Sequence, residues 1–522
     1  MSSGDANPAS SNPPESLPLA HARELARVAT PQWPRYVIGL GVLSYGVLAI
    51  TAVGTGTFAL VEAIPLIALL AFAAHRIAEK IADRDQDPRL TSFVFAAFWA
   101  KIAGTLLRTL VVTQLYGNRS DSNDYHRWGQ YFAPQFRSFD FSHIASTNGT
   151  DFMRTMTGFV YSFTGASEMS GSIVLSFLSF IGLLLLWRAF RRAVPDGAHF
   201  RYGTLVLFLP SFLYWPSALG KEGWAIFCLG VASYGVARVL TRSVLPGAAM
   251  FAAGLLGVSA LRPHVALTMF CGVFLAAAVG KSSRPGVKAS SLRLILFGAL
   301  LIVGLTLASS TASFFGVDRL DLETVNATLN SAEGRTSEAG SSFTPVTMSN
   351  PANAPLAIAT VLFRPFPFEA SSPVSAASAF EGVVLMVLTW QARKRLRGLA
   401  RQMRRQPYVA YCMGITLTFI FAFSAFSNFG ILARQRVQVL PFFLALLCIP
   451  VWQREGVVSI EDALAGRVEP ARVPLVDGAP SLYSEVTNEG SVAVSGDDVD
   501  PYAADPGFDP YERFREPPDS GR

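Results

Sequence analysis

Asp121 and Asp124 flank a Ser-Asn pair in the stretch SDSNDYHRWG at 120–129, and Tyr125, His126 and Arg127 follow directly. A carboxylate in such a loop can take the proton of a sugar hydroxyl as a general base, or bind a divalent cation such as Mg or Mn. Asp124 is the first choice for the base and Asp121 the second. The competing reading is a solvated acidic loop that caps a helix over 124–132. Lys221 and Glu222 follow LPSFLYWPSALG, where two prolines and a glycine interrupt an apolar run. Irregular backbone at membrane depth is tolerated only where protein buries it or it lines a cavity. An adjacent Lys-Glu there is expensive unless it is paired or serves a ligand; the alternative is an interfacial turn with a snorkelling lysine.

Arginines stand in three further places. Arg262-Pro263-His264 lies in a tight turn between apolar stretches, Arg364 and Glu369 bound the proline-fixed segment RPFPFE, and Arg434 and Arg436 open the last apolar stretch. Arginine presents a planar fork suited to phosphate or carboxylate, and it stays charged near lipid. A single such arginine is usually an interfacial anchor, but four in three separate segments point to an anionic ligand. The candidate binding set is Lys221, Glu222, Arg262, His264, Arg364, Glu369, Arg434, Arg436 and Tyr125. Histidine is a base suited to neutral pH, and His126 and His264 rank below Asp124 in that role.

The elements that must position these residues are membrane helices. The chain has 522 residues, 51% hydrophobic and only 15% charged, with mean hydropathy +0.36; soluble domains carry about 25% charged residues. Apolar stretches near 35–53, 57–75, 91–116, 171–190, 203–219, 223–240, 244–261, 265–280, 293–313, 373–391, 408–427 and 435–452 are each of spanning length or close to it. The fold class is therefore all-α, a polytopic transmembrane helical bundle of about 12 helices. Residues 1–34 read as a disordered cytoplasmic tail, 35–452 as the membrane domain, and 453–522 as a disordered, acidic, Pro-rich cytoplasmic tail. Two long loops, 117–170 and 314–372, fall on the extracytoplasmic side, and the first is rich in aromatics. Residues 355–363 are apolar but too short to span, which suits a re-entrant or interfacial piece.

Charge alternation orients the bundle. With the N-terminus inside, the inner loops contain Arg76, Lys80, Arg84 and Arg89, then Arg188, Arg191, Arg192 and Arg201, then Arg238 and Arg242, then Lys281, Arg284, Lys288 and Arg293. The basic run from Arg393 to Arg405 is a further inner anchor, in contact with membrane lipid. The net charge of +6 is thus no nucleic-acid signal. All five charged groups then share the outer face of a bacterial plasma membrane. The four cysteines lie in apolar segments without metal-ligand spacing. On the third helix, Lys101 and Arg108 share a face, and Arg108 is expected to pair with Glu62.

In order, SDSNDYH, LPSFLYWPSALGKEGW, ALRPH, LFRPFPFE and NFGILARQRVQVLPFF resemble bacterial polytopic proteins of the GT-C-type glycosyltransferase and polysaccharide polymerase group, including the O-antigen-polymerase-like and exopolysaccharide-polymerase-like families. The resemblance covers about 35–452. It departs from the GT-C pattern in having its acidic loop after the third helix rather than in the first outer loop. It implies transfer of sugar from a polyprenyl-phosphate or polyprenyl-diphosphate donor to a glycan or lipid-linked acceptor. Lys221, Arg262, Arg364, Arg434 and Arg436 would meet the phosphate, Asp124 or Asp121 would act as base, and aromatics of 125–141 would stack on sugar rings. The competing classes are a transporter or lipid-linked-saccharide flippase, with charges near the midplane, and a scaffold acting through its acidic tail.

Overall fold

A computed structural model of the chain describes residues 32–451, apart from 116, 118–119, 145–147, 242, 280–303, 312–342, 347 and 349–350. The C-terminal tail, the N-terminal tail up to residue 31, most of the expected helix at 293–313 and much of the loop at 314–372 lie outside the described residues. Among those described, the elements are helices and no strand occurs.

The first three are α1 (Trp33–Thr55), α2 (Phe58–Asp85) and α3 (Arg89–Leu115). Two amphipathic helices follow, α4 (Ser122–Arg137) and α5 (Gly149–Thr164), inside what the sequence suggested was a long loop. Next come α6 (Glu168–Ala193), the short α7 (His199–Phe208) and α8 (Pro210–Tyr214), then α9 (Lys221–Leu240), α10 (Val244–Ser259) and α11 (Pro263–Val279). The last part holds α12 (Ala354–Phe363), α13 (Pro373–Gln391), the basic α14 (Arg393–Leu396) and α15 (Leu399–Arg405), α16 (Pro407–Phe423), α17 (Phe429–Arg436) and α18 (Leu440–Leu447).

Six of these helices, α1, α2, α3, α6, α9 and α13, are long and apolar enough to cross a membrane. The pair α17–α18, bent by 62° at its break, makes a seventh if it is one span. The chain is an α-helical membrane protein. Its centre is α3, α6 and α9, whose apolar windows are 61–72% buried, against 17–22% for α1, α2 and α13; the latter turn most of their surface to lipid.

In lipid there is no hydrophobic drive between helices, so close backbone approach supplies the attraction. Helix α9 packs between α6 and α10. A Cβ on Gly230 of α9 would collide with the carbonyl of Gly182 on α6. Helices α11 and α16 meet in the same way, where a Cβ on Gly414 would lie 2.7 Å from Gly272 Cα.

The single helix expected over 203–219 is two short helices, because Pro210 has no N–H to continue the ladder. Two buried charges satisfy backbone at this break, and a third satisfies the end of α12 beside it. Lys101 Nζ donates to the Phe212 carbonyl. Glu381 of α13 accepts the Ser211 amide at 2.7 Å and the Ser211 hydroxyl. Arg436, fully buried, donates from Nη1 to the carbonyls of Leu362 and Arg364, each at 2.9 Å, and its Nη2 lies 4.0 Å from Glu381. Helix ends leave orphan amides and carbonyls; here Glu381 takes those at the start of α8 and Arg436 those at the end of α12.

The glycine contact gives a direct check. Gly230→Ala is expected to destabilise the protein by about 1–3 kcal/mol. Gly39→Ala on α1, where a Cβ meets nothing within 4 Å, is expected to cost nothing. Thermal unfolding of the purified variants in detergent compares them, and equal midpoints would contradict the backbone contact.

Candidate functional site

Helix α9 begins after Gly220, so Lys221 and Glu222 occupy its first turn. Acidic side chains are favoured there by the partial positive charge of the helix N-terminus. Arg262 closes the turn from α10 into α11, which starts at Pro263; proline's fixed φ suits that first position. Arg434 lies on α17, whose start is set by the Asn428 side chain accepting the Ile431 amide at 3.1 Å. Asp121 stands immediately before α4.

These four segments converge on one carboxylate. Glu222 Oε1 accepts Nη2 of Arg262 and Nε of Arg434, both at 2.7 Å. Arg434 reaches onward, donating from Nη1 to Asp121 Oδ2 at 2.9 Å. Side-chain exposure climbs along the chain of contacts, from 4% at Glu222 and 7% at Arg262 to 26% at Arg434 and 60% at Asp121. Glu222 is therefore an internal counter-ion that aims the two arginines, and Arg434 and Asp121 form the more exposed end of the group.

Two neighbours complete the group. Lys221 Nζ donates to Thr150 Oγ1 at 3.0 Å, tying α9 to the start of α5. Tyr125 is buried, and burial with the nearby Asp121 pushes its hydroxyl up to about 12, so it remains neutral. Arg262 Nη1 is buried and donates to no acceptor among the described residues. A spare donor beside a lysine and a second arginine is what an anion needs.

The other candidates lie elsewhere. Asp124, first choice for a base, accepts a bidentate pair from Arg154 at 2.8 and 3.0 Å. Arg154 also binds Asp151 at 2.8 Å and sits 5.2 Å over the Trp128 ring. The carboxylate that reaches the arginine cluster is Asp121. Arg364 and Glu369 pair with each other inside their own loop, and Arg364 lies 4.3 Å over Phe343 and 5.5 Å over Phe429. His264 is packed near Phe423, with ring centroids 5.9 Å apart, and His126 Nδ1 meets the Tyr161 hydroxyl at 2.8 Å. Arg436 belongs to the buried network with Glu381. Arg108 stacks over Tyr214 at 4.8 Å and Trp215 at 5.2 Å, while Glu62 lies against Gly165.

Sequence reasoning missed Arg154 and Glu381. Glu381 carried a signal, a lone acid inside the apolar run of α13; Arg154 carried none. The described residues contain no group of three or more His, Cys, Asp or Glu placed to hold a metal ion. Asp121 and Asp124 are each turned to an arginine, so they do not fit a divalent-cation site in this arrangement.

Removing the central acid leaves Arg262 buried and unpaired, so Glu222→Ala is expected to cost about 3–5 kcal/mol. Asp121→Asn, at an exposed pair, is expected to cost under about 1 kcal/mol. Thermal unfolding ranks the two, and a reversed order would contradict the role of Glu222. Glu369 offers a pH test. Burial pushes its carboxyl up, but the Arg364 guanidinium and the Phe366 amide outweigh this and hold it below the ordinary 4.5. Its contribution to the turn is full above that value and is lost as pH falls through the lowered one. Exchange of the Phe366 amide, corrected for intrinsic rate, should rise on acidification, and in Arg364→Ala the rise should begin at higher pH.

No protein-family model matches the chain, no curated protein is significantly similar to it, and no solved structure matches it at that level. What the site can do follows from its own residues.

Proposed function

We propose that the protein is a membrane glycosyltransferase or polysaccharide polymerase, using a polyprenyl-phosphate- or diphosphate-linked sugar at the outer face of a bacterial plasma membrane. In this reading about twelve spans cross the bilayer, with both termini cytoplasmic. The observation that carries it is the Arg262–Glu222–Arg434–Asp121 chain of contacts: two arginines are oriented by a buried acid, and one of them holds an exposed carboxylate.

The chemistry then has named parts. Arg434, Arg262 and Lys221 receive the donor's phosphate. As phosphate engages Arg434, Asp121 is freed to accept the proton of the acceptor hydroxyl. The acceptor oxygen bonds to the anomeric carbon, the bond from that carbon to the phosphate oxygen breaks, and the phosphate leaves with the electron pair. Preplaced cations stabilise the charge that develops on it. Asp124 remains the alternative base, provided it is released from Arg154.

A groove of about 590 Å³ supports a lipid-linked donor. It runs along α3 between Trp99 and Leu115 and is walled by α1, α8 and α13. Its lining reaches Leu115, Trp215 and Pro373, each a few residues from Asp121, Lys221 or Glu369, so an apolar chain lying in it would start beside the charged loops.

A transporter or flippase is the second reading. The buried charges Lys101, Glu381 and Arg436 beside broken helices favour it. Lipid-linked saccharides and surface glycan in a deletion strain, profiled by mass spectrometry, separate the two. The expected result is precursor accumulating on the outer leaflet, glycan lacking sugar, and repair by wild type. Arg434→Ala is expected to lower turnover about 100-fold, and Asp121→Asn to fail as well. Precursor held on the inner leaflet would favour the flippase; an unchanged profile would overturn both readings.

A further inference from the structure

A second charged region lies at the far ends of α13 and α16 from the Glu222 cluster. Between Gln391 and Gln406 the chain has seven Lys or Arg and no Asp or Glu. They lie on α14, on α15 and, for Arg397, on the turn between, a stretch that joins the end of α13 to the start of α16. Some have structural duties: Arg395 donates to the Ile449 carbonyl. Arg393 and Arg397 are exposed and instead border a recess of about 520 Å³.

That recess has a mixed wall. Phe363, Met386, Trp390 and Leu396 supply its apolar side. Arg393 lies 4.8 Å over the Trp390 ring and donates to the Trp390 carbonyl at 3.1 Å. Arg397 caps the end of α14, its amide donating to the Arg393 carbonyl at 3.1 Å, so the two lie one turn apart. Helix α13 is only 22% buried over its apolar window, and Trp390 is 69% exposed at its end. An exposed tryptophan at the end of a lipid-facing span marks the headgroup level. The recess therefore opens sideways to lipid, with two guanidiniums at the height of the phosphates.

The geometry points to a site for one anionic phospholipid, separate from the Glu222 cluster and independent of the reading of that cluster. The phosphate sits between Arg393 and Arg397, which can bind it with paired N–H donors. An acyl chain descends along Leu396, Met386 and Phe363. A zwitterionic lipid is disfavoured, because its ammonium would meet a cationic surface with no acidic side chain in that segment to receive it.

Native mass spectrometry of the full-length protein in mixed micelles tests this, with phosphatidylglycerol and phosphatidylcholine supplied at equal concentration. Wild type is expected to retain a phosphatidylglycerol molecule with about tenfold or greater preference. The pair Arg393→Ala and Arg397→Ala should abolish that preference. The pair Lys394→Ala and Arg404→Ala, which removes equal charge away from the recess, should keep it. Trp390→Ala, with both arginines intact, should weaken retention of either lipid. Inorganic phosphate in excess should not displace the lipid. Equal loss in both arginine and control pairs would reduce the effect to diffuse charge and overturn the site. So would equal retention of phosphatidylcholine, or displacement by phosphate. Size-exclusion profiles matching wild type confirm that each variant is folded.

Discussion

A carboxylate removed from water inside a helical bundle must be matched by cations held in good geometry, and Glu222 imposes that requirement on four distant parts of the chain. Arg262 and Arg434 come to it from the α10–α11 turn and from α17, and Asp121 joins through Arg434. An ion cluster of this kind is a weak source of stability, since apolar side chains of similar volume often serve as well or better. Its value lies in orientation. One buried acid fixes the direction of two guanidiniums, and Nη1 of Arg262 is left buried beside it with no acceptor among the described residues.

The same bargain recurs deeper in the bundle, with backbone in place of ligand. Broken helices leave amides and carbonyls without partners, and lipid supplies none. Glu381 serves the start of α8 and Arg436 serves the end of α12, while Lys101 takes the carbonyl of Phe212. Around these polar points the helices are drawn together by glycine contacts, as at Gly182 and Gly230. Irregular backbone is thereby tolerated beside the lipid-facing groove.

Local sequence carried the all-helical membrane character, of which six or seven membrane-length helices stand among the described residues, because an apolar run stands out by itself. It did not carry the pairings. Glu222 and Arg434 are 212 residues apart, and Asp124 and Arg154 are 30 apart; no periodicity links such positions. The choice between Asp121 and Asp124 turned on α5, which presents Arg154 to one and not the other. The aromatic stretch after Asp124 stood out in the sequence by composition alone. Its division into α4 and α5 depends on close packing of Gly129 against Thr157 and of Gly158 against Phe132, which only the folded pair displays. The break before α8 was signalled by Pro210, yet its consequence, a buried acid and base at two helix ends, needed α13 and α17 in place.

Arg434 and Arg436 are two residues apart on α17, about 200° around the helix axis. One is fastened to the charged surface group, the other to the carbonyls of Leu362 and Arg364. The helix between them is eight residues long, pinned at its start by Asn428 and at its end by the 62° bend. So short a strut turns as one body. Any displacement of Arg434 would therefore bear on Arg436 within its cage of carbonyls. One short helix thus carries both a partly exposed guanidinium and one sealed inside protein.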